Sequence, residues 1–175
     1  MENDELISYS EQERMLRYLN ETLQKAMEIV KADKGNIQFY DEARNCLVLV
    51  AAQGFNEEFK KNFREVQPGE CACGTALKRR ERVIVKEFAK DPVLFHLAPL
   101  FLSHGFQAVQ STPLTHQKGE IFGMLSTHFA KPHEPGPQEL ELLDLYIQDR
   151  KEIWKNIQYL IDAYYRDKNT AAISN

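Results

Sequence analysis

Residues 106–129 read FQAVQSTPLTHQKGEIFGMLSTHF, and their pattern is the most informative about the sheet. Two segments rich in apolar residues, FQAVQSTPL and EIFGMLSTHF, are joined by the polar turn THQKG. Short apolar segments bounded by a polar turn that contains glycine are typical of β-strands in a sheet. The stretch therefore predicts two strands joined by a short turn.

Side chains along these two strands alternate between opposite faces of the sheet. Val109 and Ser111 share one face of the first strand. Ser126 and His128 share one face of the second strand, opposite Phe129. A face that mixes hydroxyls and an imidazole with apolar groups suits a small-molecule pocket. The same pattern also fits a half-exposed face whose polar groups contact water, and period and composition leave both interpretations open.

Two more strands precede this region. GNIQFYD, residues 35–41, alternates, and CLVLVAAQ, residues 46–53, is continuously apolar. Alternation predicts a half-buried strand, and an unbroken apolar run predicts a strand buried on both faces. Residues 56–105 then contain short helical patterns, a short strand at RVIVKEF, and an irregular or helical segment that Gly105 ends. This order predicts an α+β fold with an antiparallel sheet covered by helices.

Apolar residues at spacings of three and four predict an amphipathic helix at each end of the chain. The first helix covers residues 10–31, and the second begins at residue 137, with Arg150 as the one polar break in its apolar seam. The second helix is longer than a sheet of this size, so its later residues are predicted to contact the same helix of a second copy. The residues assigned to this homodimer contact are Trp154, Ile157, Ile161 and Tyr164.

Length and composition favour one domain over residues 1–175 and argue against several classes of function. No run of about 18 apolar residues is present, which argues against a membrane-spanning helix. The acidic N-terminus argues against a secretory signal peptide. Three cysteines favour a reducing cytoplasm over a disulfide framework. The net charge of −4 argues against a nucleic-acid partner.

The residues that carry chemistry do not form a known catalytic or metal motif. The five histidines are scattered, and Cys71 and Cys73 are too close for a zinc knuckle. The sequence leaves open the possibility that His96 and His128 together hold a metal ion or a haem. Cys73 precedes a predicted helix start, where the helix dipole would lower the pKa of a thiol, but it also fits a small buried apolar position, which is the favoured interpretation. No P-loop or Rossmann motif is present.

Several segments together resemble the GAF domains found with bacterial sensor histidine kinases. They are KGNIQFYD, LVLVAAQGF, CGTAL, ERVIVKEFAKDP and HGFQAVQSTPLTHQKGEIFGMLSTHF, within about residues 26–158. GAF domains are small-molecule sensor modules of signalling proteins. The resemblance implies that the first and last helices cover one face of the sheet, and that residues 70–105 roof a pocket on the other.

The resemblance also implies a non-enzymatic, cytoplasmic sensor that passes ligand binding through its terminal helices to an attached or separate kinase. The expected ligand contacts are His128, Ser126, Ser111 and Val109 on the sheet, Phe95 and His96 in the roof, and Cys73, whose neighbouring N–H groups would receive an anionic part of the ligand. His128 matches a histidine that contacts the chromophore in bilin-binding relatives. The cysteine that attaches the chromophore falls at His96, so a phytochrome-type bilin is not expected, and the ligand stays unassigned.

Two alternatives accompany this interpretation. The free methionine-(R)-sulfoxide reductases are stand-alone GAF enzymes with a segment similar to CysGlyThrAla at 73–76. This chain lacks the further cysteine that those enzymes place in the roof, and Cys46 lies in a predicted strand. The other alternative is a GAF fold that has lost its ligand, with Phe88, Phe95 and Phe101 filling the pocket, and serves as a dimerisation module.

Overall fold

The computed structural model describes residues 9–116, 118–150, 153–154 and 156–157. The helices are α1 (Tyr9–Val30), α2 (Glu57–Asn62), α3 (Cys71–Arg79), α4 (Ala98–Ser103) and α5 (Pro137–Gln148). The strands are β1 (Lys34–Asp41), β2 (Cys46–Gln53), β3 (Glu65–Val66), β4 (Val83–Val85), β5 (Ala108–Thr115) and β6 (Ile121–Phe129). Two short 3-10 turns cover Phe88–Lys90 and Phe95–Leu97.

The six strands form one antiparallel sheet in the order β3-β2-β1-β6-β5-β4. Its register places polar side chains side by side on the central strands. Ser126 of β6 lies opposite Asn36 of β1 and Ser111 of β5. His128 lies opposite Lys34 on one side. The predicted α+β fold and the hairpin of β5 and β6 are therefore confirmed.

Gly123 allows the close contact of β6 with β1. A Cβ atom at this position would lie 2.5 Å from the backbone oxygen of Gln38 and 2.9 Å from the Phe39 ring. Glycine is found in strand interiors where another backbone approaches this closely. The close approach fixes the position of the Gln38 backbone beside β6.

The first and last helices pack on one face of the sheet, as the sequence predicts. Ile37 and Phe39 of β1 and Leu125 and Phe129 of β6 are buried with α1 in one apolar cluster, and Leu143 of α5 belongs to it. The residues that alternate with them on β1 and β6 point to the opposite face. Within the parts of the chain that the structure describes, no helix combines the length and apolar character needed to cross a bilayer.

The residues described after α5 pack against their own domain. Helix α5 covers Pro137–Gln148, and helical hydrogen bonds continue beyond it, with Asp149 N–H donating to the Leu145 oxygen and Trp154 N–H to the Arg150 oxygen. The Arg150 guanidinium stacks 3.6 Å from the centre of the Tyr146 ring, four residues earlier.

The homodimer stays a prediction, but two of the residues assigned to its contact, Trp154 and Ile157, are placed differently from what was expected. Trp154 is 0% exposed and lies 6.3 Å from the ring centres of both Tyr18 and Phe39. Ile157 is buried in the same cluster. These two residues pack inside their own domain, so they are not free to contact a partner. Ile161 and Tyr164 lie outside the described residues.

A polar network on this same face connects the sheet to α5. Arg82 Nε donates to Thr112 Oγ1 at 2.8 Å, and the Arg82 guanidinium forms an ion pair with Asp144 of α5. Thr112 Oγ1 donates to Gln110 Oε1 at 2.5 Å, and Gln110 Nε2 donates to Thr127 Oγ1 at 3.2 Å. The network therefore runs from α5 through β5 to β6, behind the face that carries Ser111 and Ser126.

Candidate ligand cavity

A cavity of about 30 Å³ lies between the sheet face and the roof. A volume of this size holds about two water molecules. The sheet contributes polar side chains to it: Asn36, Gln38, Ser111, Ser126 and His128. Five phenylalanines close it from the other side: Phe59, Phe63, Phe88, Phe101 and Phe106. Val109, Cys71 and Cys73 also line the cavity, so most of the predicted site residues are brought together.

His128 is held as a neutral imidazole in an aromatic environment. Its ring meets Phe55 and Phe106 edge to face, with ring centres 5.0 Å and 4.7 Å away. Burial, reinforced by the positive charge of Lys34, lowers the pKa of His128 to about 3. Its Nδ1 atom has no hydrogen-bond partner in the protein. At neutral pH the imidazole therefore offers one unused polar atom.

Gln38 is the most informative residue of the cavity, and it is not among the site residues predicted from the sequence. Its side chain is 1% exposed, and neither the amide nitrogen nor the amide oxygen has a partner in the protein. A buried polar group without a hydrogen bond costs about 1–3 kcal/mol. Asn36, two positions earlier, also lines the cavity. Side chains in GNIQFYD alternate between the two faces of the sheet, so Asn36 and Gln38 lie on the face opposite the buried Ile37. This alternation was the sequence signal for both residues.

The two serines pair across β5 and β6. Ser111 Oγ and Ser126 Oγ are 2.7 Å apart and are both buried. One hydrogen bond between two hydroxyls uses one of their two protons. The pair therefore has a second O–H with which to donate to a ligand.

The cysteines lie at the start of α3. Cys71 Sγ and Cys73 Sγ are 3.2 Å apart. The hydrogen bond from Cys73, with the backbone N–H groups of Cys73 and Gly74, lowers the pKa of the Cys71 thiol. The neighbouring Cys71 and burial raise the pKa of Cys73. Helix α3 begins at Cys71, earlier than expected, and the position with the lowered pKa is Cys71 and not Cys73.

The structure does not bring Phe95 and His96 to the cavity. Phe95 is 58% exposed, and His96 is exposed, with Nδ1 3.1 Å from the Val93 backbone oxygen. Phe88 and Phe101 occupy the inner side of the roof, so the 3-10 turn that carries Phe95 and His96 lies on its outside. Phe95 and His96 therefore do not contact a ligand in this cavity, contrary to the prediction. For the same reason His96 and His128 do not hold a metal or haem between them.

The described residues contain no group of three or more metal-binding side chains arranged around one point. Of the three phenylalanines expected to fill a ligand-free pocket, Phe88 and Phe101 line the cavity and Phe95 does not.

A sequence model described as GAF domain matches residues 17–149, which is more than half of the chain. No sequence among the curated proteins matches the chain. Many solved structures share the fold.

Three of these structures represent different functional settings. A domain of a putative two-component sensor histidine kinase from Sinorhizobium meliloti is 22% identical with a TM-score of 0.65, over 86% of this chain and 95% of that chain. The GAF domain of a phosphoenolpyruvate-protein phosphotransferase from Coxiella burnetii is 21% identical with a TM-score of 0.64, over 89% and 86%. The free methionine-R-sulfoxide reductase of Neisseria meningitidis, solved with its substrate, is 18% identical with a TM-score of 0.61, over 79% and 78%. Identities this low establish a shared fold and leave the activity of this chain open.

Proposed function

Because the chain belongs to the GAF domain family, we propose that it is a small-molecule-sensing or regulatory domain of a bacterial signalling protein. The ligand binds in the cavity between the sheet and the roof. The observation that carries this proposal is a pair of buried polar side chains: both amide atoms of Gln38 and Nδ1 of His128 have no partner in the protein. Native proteins rarely retain such atoms unless water, an ion or a ligand satisfies them.

The lining of the cavity indicates an uncharged ligand. Among the described residues, no lysine, arginine, aspartate or glutamate lines it, and His128 is neutral. The backbone N–H groups of Cys73 and Gly74 are directed at the Cys71 sulfur, so they do not serve as an anion site. Gln38 offers a donor and an acceptor side by side, which matches an amide or lactam group. A neutral planar molecule with such a group would also pack against the phenylalanines.

Ligand binding requires the roof to move, because the closed cavity has a volume of about 30 Å³ and a drug-sized ligand needs about 300 Å³ or more. A contact with Ser111 or Ser126 would displace strands whose opposite face carries Gln110 and Thr127. These residues connect through Thr112 and Arg82 to Asp144 of α5. We propose this route for passing the bound state to the C-terminal helix and to a kinase.

Gln38→Leu tests the ligand site, because the change is expected to preserve or raise the stability of the ligand-free protein and to weaken ligand binding. Leucine removes the unpartnered amide, so the ligand-free variant should unfold at the same temperature as the wild type or a higher one. The same change should weaken binding about tenfold, the equivalent of about 1.4 kcal/mol. The measurement is thermal unfolding with neutral amide or lactam metabolites, among them nicotinamide, uracil and xanthine.

Gln24→Leu, on the exposed face of α1, is the matched control and should bind as the wild type does. A wild type whose unfolding temperature none of these compounds raises would contradict the proposed ligand class. A compound that stabilises the wild type and Gln38→Leu equally would contradict the proposed site.

A second candidate function is the reduction of free methionine-(R)-sulfoxide. The 3.2 Å contact of Cys71 with Cys73 favours it, because the chain has two neighbouring thiols in the cavity although it lacks the further roof cysteine of those enzymes. If this activity is present, the protein should turn over free methionine-(R)-sulfoxide with a dithiol reductant, and Cys73→Ser should abolish turnover. Consumption of sulfoxide no faster than in buffer excludes this candidate.

A further inference from the structure

Cys71 and Cys73 form a dithiol that the sensing role does not use. Their sulfur atoms are 3.2 Å apart, both residues are half-buried, and both line the cavity. The third cysteine, Cys46, is buried elsewhere, on β2, and does not line this cavity. The chain therefore carries a close thiol pair and, in the same molecule, a single thiol for comparison.

The two thiols differ in their readiness to react. Cys71 is the first residue of α3, and its sulfur accepts hydrogen bonds from Cys73 and from backbone N–H groups. These contacts favour the thiolate at Cys71, which is the nucleophilic form of cysteine. Cys73 keeps its proton, because its pKa is raised by Cys71 and by burial. Cys71 also has a left-handed backbone, with φ of 43°, a conformation that is uncommon outside glycine.

The size of the cavity limits which molecules can meet the Cys71 sulfur from the cavity side. A space of about 30 Å³ admits a molecule comparable to two waters and excludes a metabolite. Hydrogen peroxide has this size, is uncharged, and both donates and accepts hydrogen bonds. The unpartnered amide of Gln38 and Nδ1 of His128 line the same space and complement it.

We propose that Cys71 and Cys73 are a redox-active pair that hydrogen peroxide oxidises to a disulfide inside the cavity. Cys71 is the attacking residue and Cys73 is the resolving residue. The proposal concerns the thiols alone, so it holds whichever metabolite the cavity binds.

The reaction balances in two steps. The Cys71 thiolate attacks one peroxide oxygen, an S–O bond forms, the O–O bond breaks, and the departing hydroxide takes a proton to become water. The Cys73 thiol then loses its proton, its sulfur attacks the Cys71 sulfenic acid, an S–S bond forms, and the sulfenic hydroxyl leaves as a second water. Two thiols and one peroxide give one disulfide and two waters. A small dithiol reductant restores the pair by exchange.

The experiment is mass spectrometry of the reduced protein after treatment with hydrogen peroxide. Trypsin cleaves after Arg64 and Lys78, so one peptide, residues 65–78, holds both Cys71 and Cys73, while Cys46 lies in another. We expect the 65–78 peptide to lose two hydrogens at least about tenfold faster than Cys46 is oxidised. Treatment with dithiothreitol should return them.

Two variants separate the roles of the thiols. In Cys73→Ser the sulfenic acid has no resolving thiol, so dimedone should label Cys71. In Cys71→Ser, Cys73 should oxidise no faster than Cys46. Cys73→Ala replaces Cys73→Ser if circular dichroism shows that the serine variant is not folded.

Three results would overturn the proposal. The first is oxidation of Cys46 before Cys71 and Cys73. The second is a wild-type 65–78 peptide that gains oxygen and forms no disulfide. The third is Cys73 in Cys71→Ser reacting with peroxide as fast as the pair does in the wild type.

Discussion

Replacing Trp154 with alanine is expected to lower the free energy of unfolding by about 3–5 kcal/mol, the range for large buried aromatic side chains. Trp154 is fully buried and packs edge-on against Tyr18 and Phe39, and its ring centre lies 6.1 Å from that of Phe122. Its indole N–H has no partner in the protein, so the loss is one of packing and not of a hydrogen bond. Urea unfolding followed by circular dichroism measures it, since the variant has no tryptophan to follow by fluorescence.

Ile153→Ala is the neighbouring control, because Ile153 is 43% exposed, and it should change stability by less than about 0.5 kcal/mol. A loss below about 1 kcal/mol in Trp154→Ala would contradict the packing of this segment against the sheet.

Solution mass is a useful second readout for the proposed homodimer. If α5 forms it, exposed Leu145 is a suitable contact, and Leu145→Glu should reduce the mass where Trp154→Ala does not.

The second large effect is a loss of stability in acid caused by His128. Its pKa is about 3 in the folded protein against an ordinary value of 6.5, so the unfolded chain binds the extra proton between these values. The stability that neutral His128 contributes is complete above pH 6.5, its pKa in the unfolded chain. It falls as the pH drops toward about 3, its pKa in the folded protein. Linkage predicts a loss of about 2 kcal/mol by about pH 5, and about 3 kcal/mol by about pH 4.

Urea unfolding from neutral to acidic pH measures this loss. His128→Gln should remove most of the slope, since glutamine does not titrate, whereas the exposed His96→Gln should keep it. An equal slope in the wild type and in His128→Gln would show that other groups cause the acid sensitivity.

Sequence patterns were sufficient for the fold because the sheet is specified by local alternation. The hairpin around THQKG and the alternation in GNIQFYD place each side chain on the correct face of β1, β5 and β6. The two-residue strand β3 was not predicted, because Glu65 and Val66 pair with β2 through contacts that no local period encodes. Short edge strands of this kind depend on tertiary contacts.

The site was predicted on its sheet side and not on its roof side. Ser111, Ser126 and His128 follow from period two, and Gln38 would have followed from the same rule. The roof has no such period. Phe95 lies outside because a 3-10 turn rotates it away from the sheet, and the distance between Cys71 and Cys73 depends on where α3 begins.

The limit at the C-terminus has a similar cause. A 3-4 apolar stripe shows that a helix has a buried face, but it does not say whether its own sheet or a partner covers that face. Tertiary packing against Tyr18 and Phe39 decides the question for Trp154, and no local period in the sequence encodes it.

The most direct measurement is a crystal structure of the protein equilibrated with a low-molecular-weight cell extract, together with its native mass. The account predicts density larger than two waters beside Gln38 and His128, the roof phenylalanines displaced from their closed positions, and a native mass above that of the polypeptide. A native mass equal to the polypeptide, with only water beside Gln38 and His128 and the roof closed, would contradict it.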